Sequence, residues 1–364
     1  MKIKILQASL LQALKTVGVV STSKESTPML SHVLMKTTKD GLALTCTNLD
    51  MTICDSIDAD VDEEGAATLP LRLLADAMSK LSNGVVEIEI GKDGKSVISA
   101  GGAVFKIAGL DAESFPQLPK GKPDVRYTLP RATFREMLRK TGYAACRDDS
   151  RKRLNGVLVE IKDGTMRTVA TDGRRLSLCE HELSDGAEDM QMIIPNQTVD
   201  ILLRNLGSNS EGDLEIKVVG SQASFSFGTT VIYSKLFDEV YPNYRDVIPK
   251  GEGTEIGVDR VMLIEAIERV AVFASSEAPS ENLTFAENRL VVDSGLEGYD
   301  GARDTLPIKY SGEKITIRMN PKYLTDPLRA LDEDEVKFVM LKDAAPVEIK
   351  ASIPFLAVVM PISR

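Results

Sequence analysis

The segment 169–178, VATDGRRLSL, holds the residues whose types and spacing are best suited to chemistry. Asp172 can accept a proton, and the guanidinium groups of Arg174 and Arg175 can bind phosphate or carboxylate in a planar fork. One hypothesis is therefore an enzyme that acts on a phosphorylated small molecule through Asp172, Arg174 and Arg175. The alternative is a charged turn between two strands, so the surrounding elements must decide between them.

The composition disfavours several other kinds of site. The chain of 364 residues has four Cys without a CxxC pair and only two His. A Cys/His metal centre or a His-dependent nucleophile is therefore not expected, no cofactor is predicted, and the cysteines are predicted to be reduced and buried. No apolar run approaches the ~20 residues that span a bilayer, and the first residues lack the pattern of a signal peptide. These features predict a cytoplasmic protein without a membrane partner.

The net charge of −10 hides an uneven distribution of charged residues. Acidic runs occur at 58–64 and 331–335, whereas the segment 131–153 contains eight Lys or Arg against three acidic residues. An acidic chain is a poor general binder of nucleic acid, because neutralising phosphates requires Lys and Arg. A local basic surface can nevertheless attract DNA, so the distribution matters more than the sum.

Segments with helical and hairpin signals recur along the chain. Apolar residues at i, i+4 and i+7 predict helices at 69–81, 194–206 and 319–331. A second set of predicted helices, at 9–17, 133–141 and 262–270, begins each repeat. Hairpin turns are predicted at 40–41, 163–164 and 287–288, and Asp-Gly between apolar strands is typical of a type I′ turn.

This recurrence predicts three copies of one α+β domain, each with two helices and about eight strands in antiparallel sheets. The predicted domains are 1–120, 125–249 and 252–364, with Pro-Lys-Gly breaks near their boundaries. CTNLDMTIC (46–54) aligns with ATDGRRLSLC (170–179) if one residue is inserted, which sets Cys54 opposite Cys179. The first repeat lacks the Asp and Arg pattern of the second, which favours a specialised scaffold over an active site.

The chain resembles the bacterial sliding-clamp family, the β subunit of DNA polymerase III. RLNGVLVEI and RTVATDGRRLSLC (within 153–179), YPNYRDVIPK (241–250) and VVMPISR (358–364) carry the resemblance, which spans the whole chain. It implies a head-to-tail homodimeric ring that encircles double-stranded DNA without reading its sequence. It also implies a non-enzymatic processivity factor.

The same resemblance implies a set of partners and a groove that binds them. The partners are the DNA polymerase III catalytic subunit, an ATP-dependent clamp loader, and other polymerases and repair proteins. Many of them would dock short Gln/Leu/Phe-rich peptides between the second and third domains. The groove residues implied are Leu154, Thr171, Gly173, Arg174, Arg175, Leu176, Pro242, Val247, Val358, Met360, Pro361 and Ile362.

Two further surfaces follow from the resemblance and from the basic residues on predicted helices and loops. The DNA contacts expected are Lys24, Arg72, Arg135, Arg139, Arg147, Arg151, Lys152, Arg153 and Arg204. The dimer interface expected is formed by Phe105, Ile107, Val272 and Phe273. The chain departs from the family at Arg174, Asp246 and Ser363, where His or basic residues are common, and at 152–153, where aromatic residues are common.

Overall fold

A computed structural model describes residues 1–21, 27–91, 93–118, 121–183, 187–207, 211–251, 253–275, 277–295, 300–341 and 345–362. These residues contain six α-helices, and each predicted helical segment coincides with one of them. The helices are α1 (Gln7–Gly18), α2 (Leu71–Ser79), α3 (Arg131–Gly142), α4 (Asn196–Asn205), α5 (Arg260–Ala271) and α6 (Pro321–Arg329). No helix in the described ranges is both long and apolar enough to cross a membrane.

The strands of the described residues repeat in the same order around these helices. The first repeat contains β1 (Lys2–Leu6), β2 (His32–Thr38), β3 (Gly41–Thr47), β4 (Met51–Ile57), β5 (Asp60–Glu63), β6 (Ala66–Pro70), β7 (Val85–Ile90), β8 (Lys95–Ala100) and β9 (Ala103–Ala108). The second contains β10 (Val125–Pro130), β11 (Gly156–Lys162), β12 (Thr165–Thr171), β13 (Arg175–Glu182), β14 (Met190–Pro195), β15 (Asp213–Val219), β16 (Gln222–Phe227) and β17 (Thr230–Lys235). The third contains β18 (Thr254–Asp259), β19 (Glu281–Ala286), β20 (Arg289–Ser294), β21 (Ala302–Pro307), β22 (Ile315–Met319), β23 (Glu335–Met340), β24 (Val347–Lys350) and β25 (Phe355–Val359).

The first of two compact units comprises residues 1–132 and 200–236. It contains a five-stranded sheet in the order β5-β1-β7-β8-β9 and an eight-stranded sheet in the order β10-β15-β16-β17-β4-β3-β2-β6. Helix α1 packs on β3 and β4 and against α2. It buries Leu10, Leu14 and Val17 on one face, which is the face predicted by their spacing.

The second unit comprises residues 133–199 and 237–364. It contains an eight-stranded sheet in the order β14-β11-β12-β13-β25-β24-β23-β18 and a four-stranded sheet in the order β21-β20-β19-β22. Helix α5 packs on β20 and β21 and against α6. Helix α6 begins where the Asn320 side chain accepts a hydrogen bond from the Lys322 backbone N–H, as helix N-caps commonly do.

Each eight-stranded sheet joins strands of two consecutive repeats through the same pair of positions. The fourth strand of the first repeat, β4, pairs antiparallel with the last strand of the second repeat, β17. In the same way β13 pairs antiparallel with β25. The equivalent positions that remain are β21 and β9, and each of these is the edge strand of its sheet. The prediction of three repeated α+β clamp domains is confirmed, while their exact boundaries stay a prediction.

The predicted hairpins are confirmed, with one correction to a turn type. Turns at 40–41, 163–164 and 287–288 join paired strands. Asp163 and Gly164 both have positive φ, as a type I′ turn requires. At 40–41 only Gly41 has positive φ, at +146°, so that turn is not type I′. The strands that follow the second helix of each repeat alternate apolar residues toward the core, and these are all buried: Val86, Ile88, Ile90, Leu214, Ile216, Val218, Val336, Phe338 and Met340.

Candidate partner-binding groove

The segment 169–178 forms a tight turn between β12 and β13. The Asp172 Oδ1 atom accepts hydrogen bonds from the backbone N–H groups of Arg174 and Arg175, at 2.9 and 3.1 Å. The Thr171 hydroxyl donates to the Arg175 carbonyl at 2.6 Å and accepts from the Gly173 N–H at 3.0 Å. Gly173 has φ +89°, where a residue without a Cβ is favoured. The Thr171 hydroxyl and the Gly173 N–H, both in residues implied for the groove, therefore hydrogen-bond inside the turn.

The corresponding turn of the first repeat corrects the predicted alignment. Thr47 makes the same hydrogen bonds as Thr171, and β3 and β4 pair in the same register relative to the turn as β12 and β13. No residue is inserted, so Cys54 is equivalent to Leu178, and its alignment with Cys179 is wrong by one residue. Because side chains alternate along a strand, the two thiols lie on opposite faces of their sheets.

The Arg175 side chain, only 7% exposed, connects three parts of the second unit. Its guanidinium forms ion pairs with the carboxylates of Asp172 at 3.1 Å and Asp326 at 2.6 Å. It also donates to the Tyr143 carbonyl at 2.9 Å and lies 4.7 Å from the centre of the Tyr323 ring. The planar fork thus ties the turn to the segment after α3 and to α6, which only an arginine can do with this geometry.

The backbone after β25 stays hydrogen-bonded to neighbouring segments. After β25, the Met360 N–H donates to the Arg174 carbonyl at 2.9 Å, and the Ile362 N–H donates to the Arg318 carbonyl at 2.7 Å. Met360 is nevertheless 43% exposed and Ile362 is 37% exposed. The residues after β25 are therefore held by hydrogen bonds and still present apolar side chains to solvent.

A small apolar core supports this strand end. Leu176 on β13 and Val358 on β25 are cross-strand partners, and both are buried. They pack in a cluster with Leu158, Val169, Leu178, Ile193, Tyr241 and Tyr244. Leu176 and Val358 therefore form the floor beneath the exposed tail and are not themselves open to solvent.

A cleft of about 530 Å³ lies next to the turn and contains two of the expected groove residues. It is lined by Asp149, Ser150, Arg151, Lys152, Arg153, Leu154, Glu239 and Pro242. A Cβ atom added to Gly173 would lie 3.2 Å from the Arg151 guanidinium, so the basic loop reaches the turn. The structure thus brings Arg151, expected at DNA, to the same cleft as Leu154 and Pro242.

A buried carboxylate holds the segment that carries Pro242 and Val247. Glu160 on β11 accepts hydrogen bonds from the Tyr244 hydroxyl at 2.8 Å and from the Arg245 guanidinium. Burial by itself would raise the pKa of Glu160, but the bonds from Arg245 and Tyr244 outweigh it and lower that pKa. The ionised Glu160 therefore fixes this segment to the sheet, leaving Val247 and Pro242 exposed.

The basic residues expected at DNA differ in solvent exposure and in ion pairing. Arg139 bonds Glu136 and Asp332, and Arg135 also contacts Glu136, so both are neutralised and mostly covered. Lys24 lies outside the described residues. The other candidates are exposed: Arg72, Arg147, Arg151, Lys152, Arg153 and Arg204.

The four residues expected at a dimer interface also differ. Val272 and Phe273, just after α5, are 77% and 48% exposed. Phe105 on β9 is half-buried, whereas Ile107 is only 5% exposed and belongs to the interior of its own sheet. Val104, which was not expected, is 60% exposed on the same edge strand.

The departures from the family pattern that the structure describes fall at exposed positions. Arg174 and Asp246 are exposed, and the Asp246 carboxylate accepts a hydrogen bond from Asn243 at 2.8 Å. Ser363 lies outside the described residues, and Pro361 is half-buried. Sequence reasoning missed Tyr143, Tyr323 and Asp326 as supports of Arg175. The one sequence feature that could have indicated them is the pair of adjacent arginines, Arg174 and Arg175, because a buried guanidinium requires acidic or aromatic partners.

Comparisons with known proteins cover the whole chain. Models of the N-terminal, central and C-terminal domains of the DNA polymerase III beta subunit match residues 1–119, 128–243 and 245–363. The beta sliding clamps of Proteus mirabilis and Escherichia coli K12 are each 29% identical to this chain, with full coverage of both chains.

Solved structures agree with this result. The DNA polymerase III subunit beta of Pseudomonas aeruginosa is 27% identical with a TM-score of 0.94, and each chain is fully covered. A griselimycin-bound sliding clamp from the same organism is 28% identical with a TM-score of 0.95 and the same coverage. Because the three domain models match consecutive parts of the chain in the order of the repeats, the chain belongs to the DNA polymerase III beta subunit, or sliding-clamp, family.

Proposed function

We propose that this protein is a non-enzymatic processivity factor that encircles duplex DNA and tethers DNA polymerases and repair proteins. The observation that carries the proposal is the strand pairing between repeats. We call the pairing of the fourth strand of one repeat with the last strand of another a junction. Two of the three equivalent junctions are made within the chain, by β4 with β17 and by β13 with β25. At the third such position, β9 and β21 are edge strands with no further partner strand among the residues that the structure describes.

A second copy of the chain can complete that junction. Open strand edges favour pairing with another strand, and β21 of one copy with β9 of the other repeats the antiparallel pairing used twice already. Two copies make two such contacts, and the assembly closes as a head-to-tail dimer. The exposed side chains of Val272, Phe273 and Val104, with the half-buried Phe105, supply apolar surface for this contact.

The charge distribution fits a protein that stays on DNA because it encircles the duplex. Exposed Arg72, Arg204 and the loop residues 151–153 offer cations for phosphate contacts without base recognition. Arg135 and Arg139 are paired with carboxylates and contribute less. Weak, non-specific contacts suit a ring that must slide, because each neutralised phosphate adds to affinity.

The groove proposed for partner peptides is formed by the turn, the exposed tail and the cleft beside Pro242. Met360 and Ile362 offer flexible apolar surface, which suits several different partner peptides. The cleft beside Arg151 and Leu154 provides room for a second part of the peptide. Short peptides rich in Gln, Leu and Phe match this combination of apolar contact and polar rim.

The alternative of an enzyme acting on a phosphorylated small molecule has less support. Asp172 bonds two backbone N–H groups and the Arg175 guanidinium, so its oxygen atoms are already engaged. Arg175 is buried between two carboxylates and two tyrosines. Of the three proposed catalytic residues, only Arg174 extends into solvent.

Two measurements test the proposal. After loading by an ATP-dependent clamp loader, the protein should stay on nicked circular DNA and leave when the circle is linearised; equal loss from both would refute encirclement. A Gln-Leu-x-Leu-Phe peptide should bind once per chain in a calorimetric titration, and Met360→Asp should abolish that binding. Val85→Asp, a change at an exposed apolar residue in the first unit, is the matched control and should leave it intact.

A further inference from the structure

The first unit contains a turn that reproduces the groove turn bond by bond. The Asn48 Oδ1 atom accepts hydrogen bonds from the backbone N–H groups of Asp50 and Met51, at 3.0 and 2.7 Å. The Thr47 hydroxyl donates to the Met51 carbonyl at 2.9 Å and accepts from the Leu49 N–H at 3.1 Å. These are the four bonds made by 171–175 in the second unit. The repeats therefore share the scaffold of the proposed groove as well as the fold.

The neighbouring strand end is reproduced too. The Lys235 N–H donates to the Asp50 carbonyl at 2.9 Å, just as the Met360 N–H donates to the Arg174 carbonyl at 2.9 Å. Ser234 pairs with Met51 in the register in which Val359 pairs with Arg175. Lys235 consequently occupies the position that Met360 occupies in the proposed groove.

The segment that carries the proline beside the turn is also equivalent in the two units. Buried Phe115 precedes Pro116 in the first unit, as buried Tyr241 precedes Pro242 in the second. Between Pro116, the turn and the strand end lies an open pocket of about 150 Å³, to which Leu49 and Tyr233 also contribute. The pocket is smaller than the cleft beside Pro242, and it lies entirely within the first unit.

Leu49 is the least expected residue of this pocket. It has φ +77°, a left-handed backbone conformation that strains a residue with a side chain, and it is still 55% exposed. Gly173, at the equivalent position, avoids that strain. A strained and exposed leucine contributes little to the stability of the folded chain, so a role in contact with another molecule is a better explanation for it.

We propose that this pocket is a second, weaker docking site for the same class of partner peptide. The ligand class rests on the function proposed above. The pocket holds one apolar side chain of about leucine size against Leu49, Pro116 and Tyr233. The amides of Gln117 and Gln222 at its rim suit an uncharged Gln-containing segment.

An ion pair at the rim of the pocket also favours an uncharged peptide segment over a charged one. Lys235 Nζ lies 3.0 Å from the Asp50 carboxylate, so the two opposite charges partly offset each other at the rim. Simultaneous use of both sites by one partner raises its effective affinity through local concentration, without any new contact in either site. The pocket would thus strengthen tethering of partners that carry two peptide segments.

The test is a titration followed by methyl NMR of the full-length chain with labelled leucine and methionine. The probe is the Gln-Leu-x-Leu-Phe peptide at up to millimolar concentration. Saturable shifts of the Leu49 methyl signals are expected, at higher peptide concentration than the shifts of the Met360 methyl. They should persist in Met360→Asp and in Leu118→Asp, a matched change at an exposed leucine of the first unit. The signals that are missing from the spectrum of Leu49→Asp identify the Leu49 methyl groups.

The outcomes separate this proposal from the proposed function. Shifts at Met360 without shifts at Leu49 would overturn the second site and leave the groove standing. Shifts at neither residue would overturn both. Shifts at Leu49 that vanish in Met360→Asp would also overturn the second site, because the signal would then report binding at the groove. The unmodified chain gives the first two results, so they do not depend on the folding of any variant.

Discussion

Replacing Arg175 by Ala should strongly destabilise the second unit. The substitution leaves the carboxylates of Asp172 and Asp326, which are 17% and 20% exposed, without their shared cation. It also leaves the Tyr143 carbonyl without its donor and removes the contact with the Tyr323 ring. Removing one partner of a buried ion pair costs about 3–5 kcal/mol. For a unit of roughly 150–250 residues this corresponds to a fall in Tm of about 6–20 °C.

Differential scanning calorimetry of the unmodified and Arg175→Ala chains measures this effect. Arg175→Lys should give an intermediate loss, because an ammonium group cannot reach both carboxylates and the carbonyl with a planar fork. Arg72→Ala is the control. The Arg72 side chain is 96% exposed and its ion pair with Asp76 is long, at 4.0 Å, so its loss should cost little stability. An Arg175→Ala Tm as high as that of the control would refute the view that Arg175 holds the turn to α6.

Three further predictions concern assembly, DNA and pH. Phe273→Asp should give folded monomers by light scattering, because a charge would be buried at the proposed β9–β21 junction; a dimer would show that the junction lies elsewhere. Replacing Arg151, Lys152 and Arg153 together by Ala should lower the slope of log affinity for duplex DNA against log salt by about 0.9 per lost phosphate contact. An unchanged slope would exclude this loop from DNA contact. Burial raises the pKa of Glu281 to about 8, and neither carboxylate oxygen has a hydrogen-bond partner in the described part of the chain. The folded state keeps this proton while the unfolded state loses it near pH 4.5, so stability is full below that pH and falls as the pH rises toward 8. Glu281→Gln should therefore raise the Tm at about pH 8 much more than at about pH 5; an equal change at both values would contradict the assignment.

The sequence by itself determined the repeated elements of this protein. Helices α1 to α6 follow from apolar spacing, because a 3.6-residue period places one face toward the core whatever the later packing. The hairpin at 163–164 follows from Asp-Gly, since its type I′ geometry is a local property of the backbone. These features depend on neighbours within a few residues, so the sequence contains them directly.

Only the tertiary structure decided how those elements are joined and which charges remain free. The pairing of β13 with β25 brings together strands that lie far apart in the chain, and no local pattern encodes that choice. Asp326 becomes the partner of Arg175, and Asp332 neutralises Arg139, in both cases across long sequence separations. Burial and charge at these sites depend on packing between distant segments. The periodicity of one segment therefore predicts its own conformation, whereas the groove depends on the folded unit as a whole.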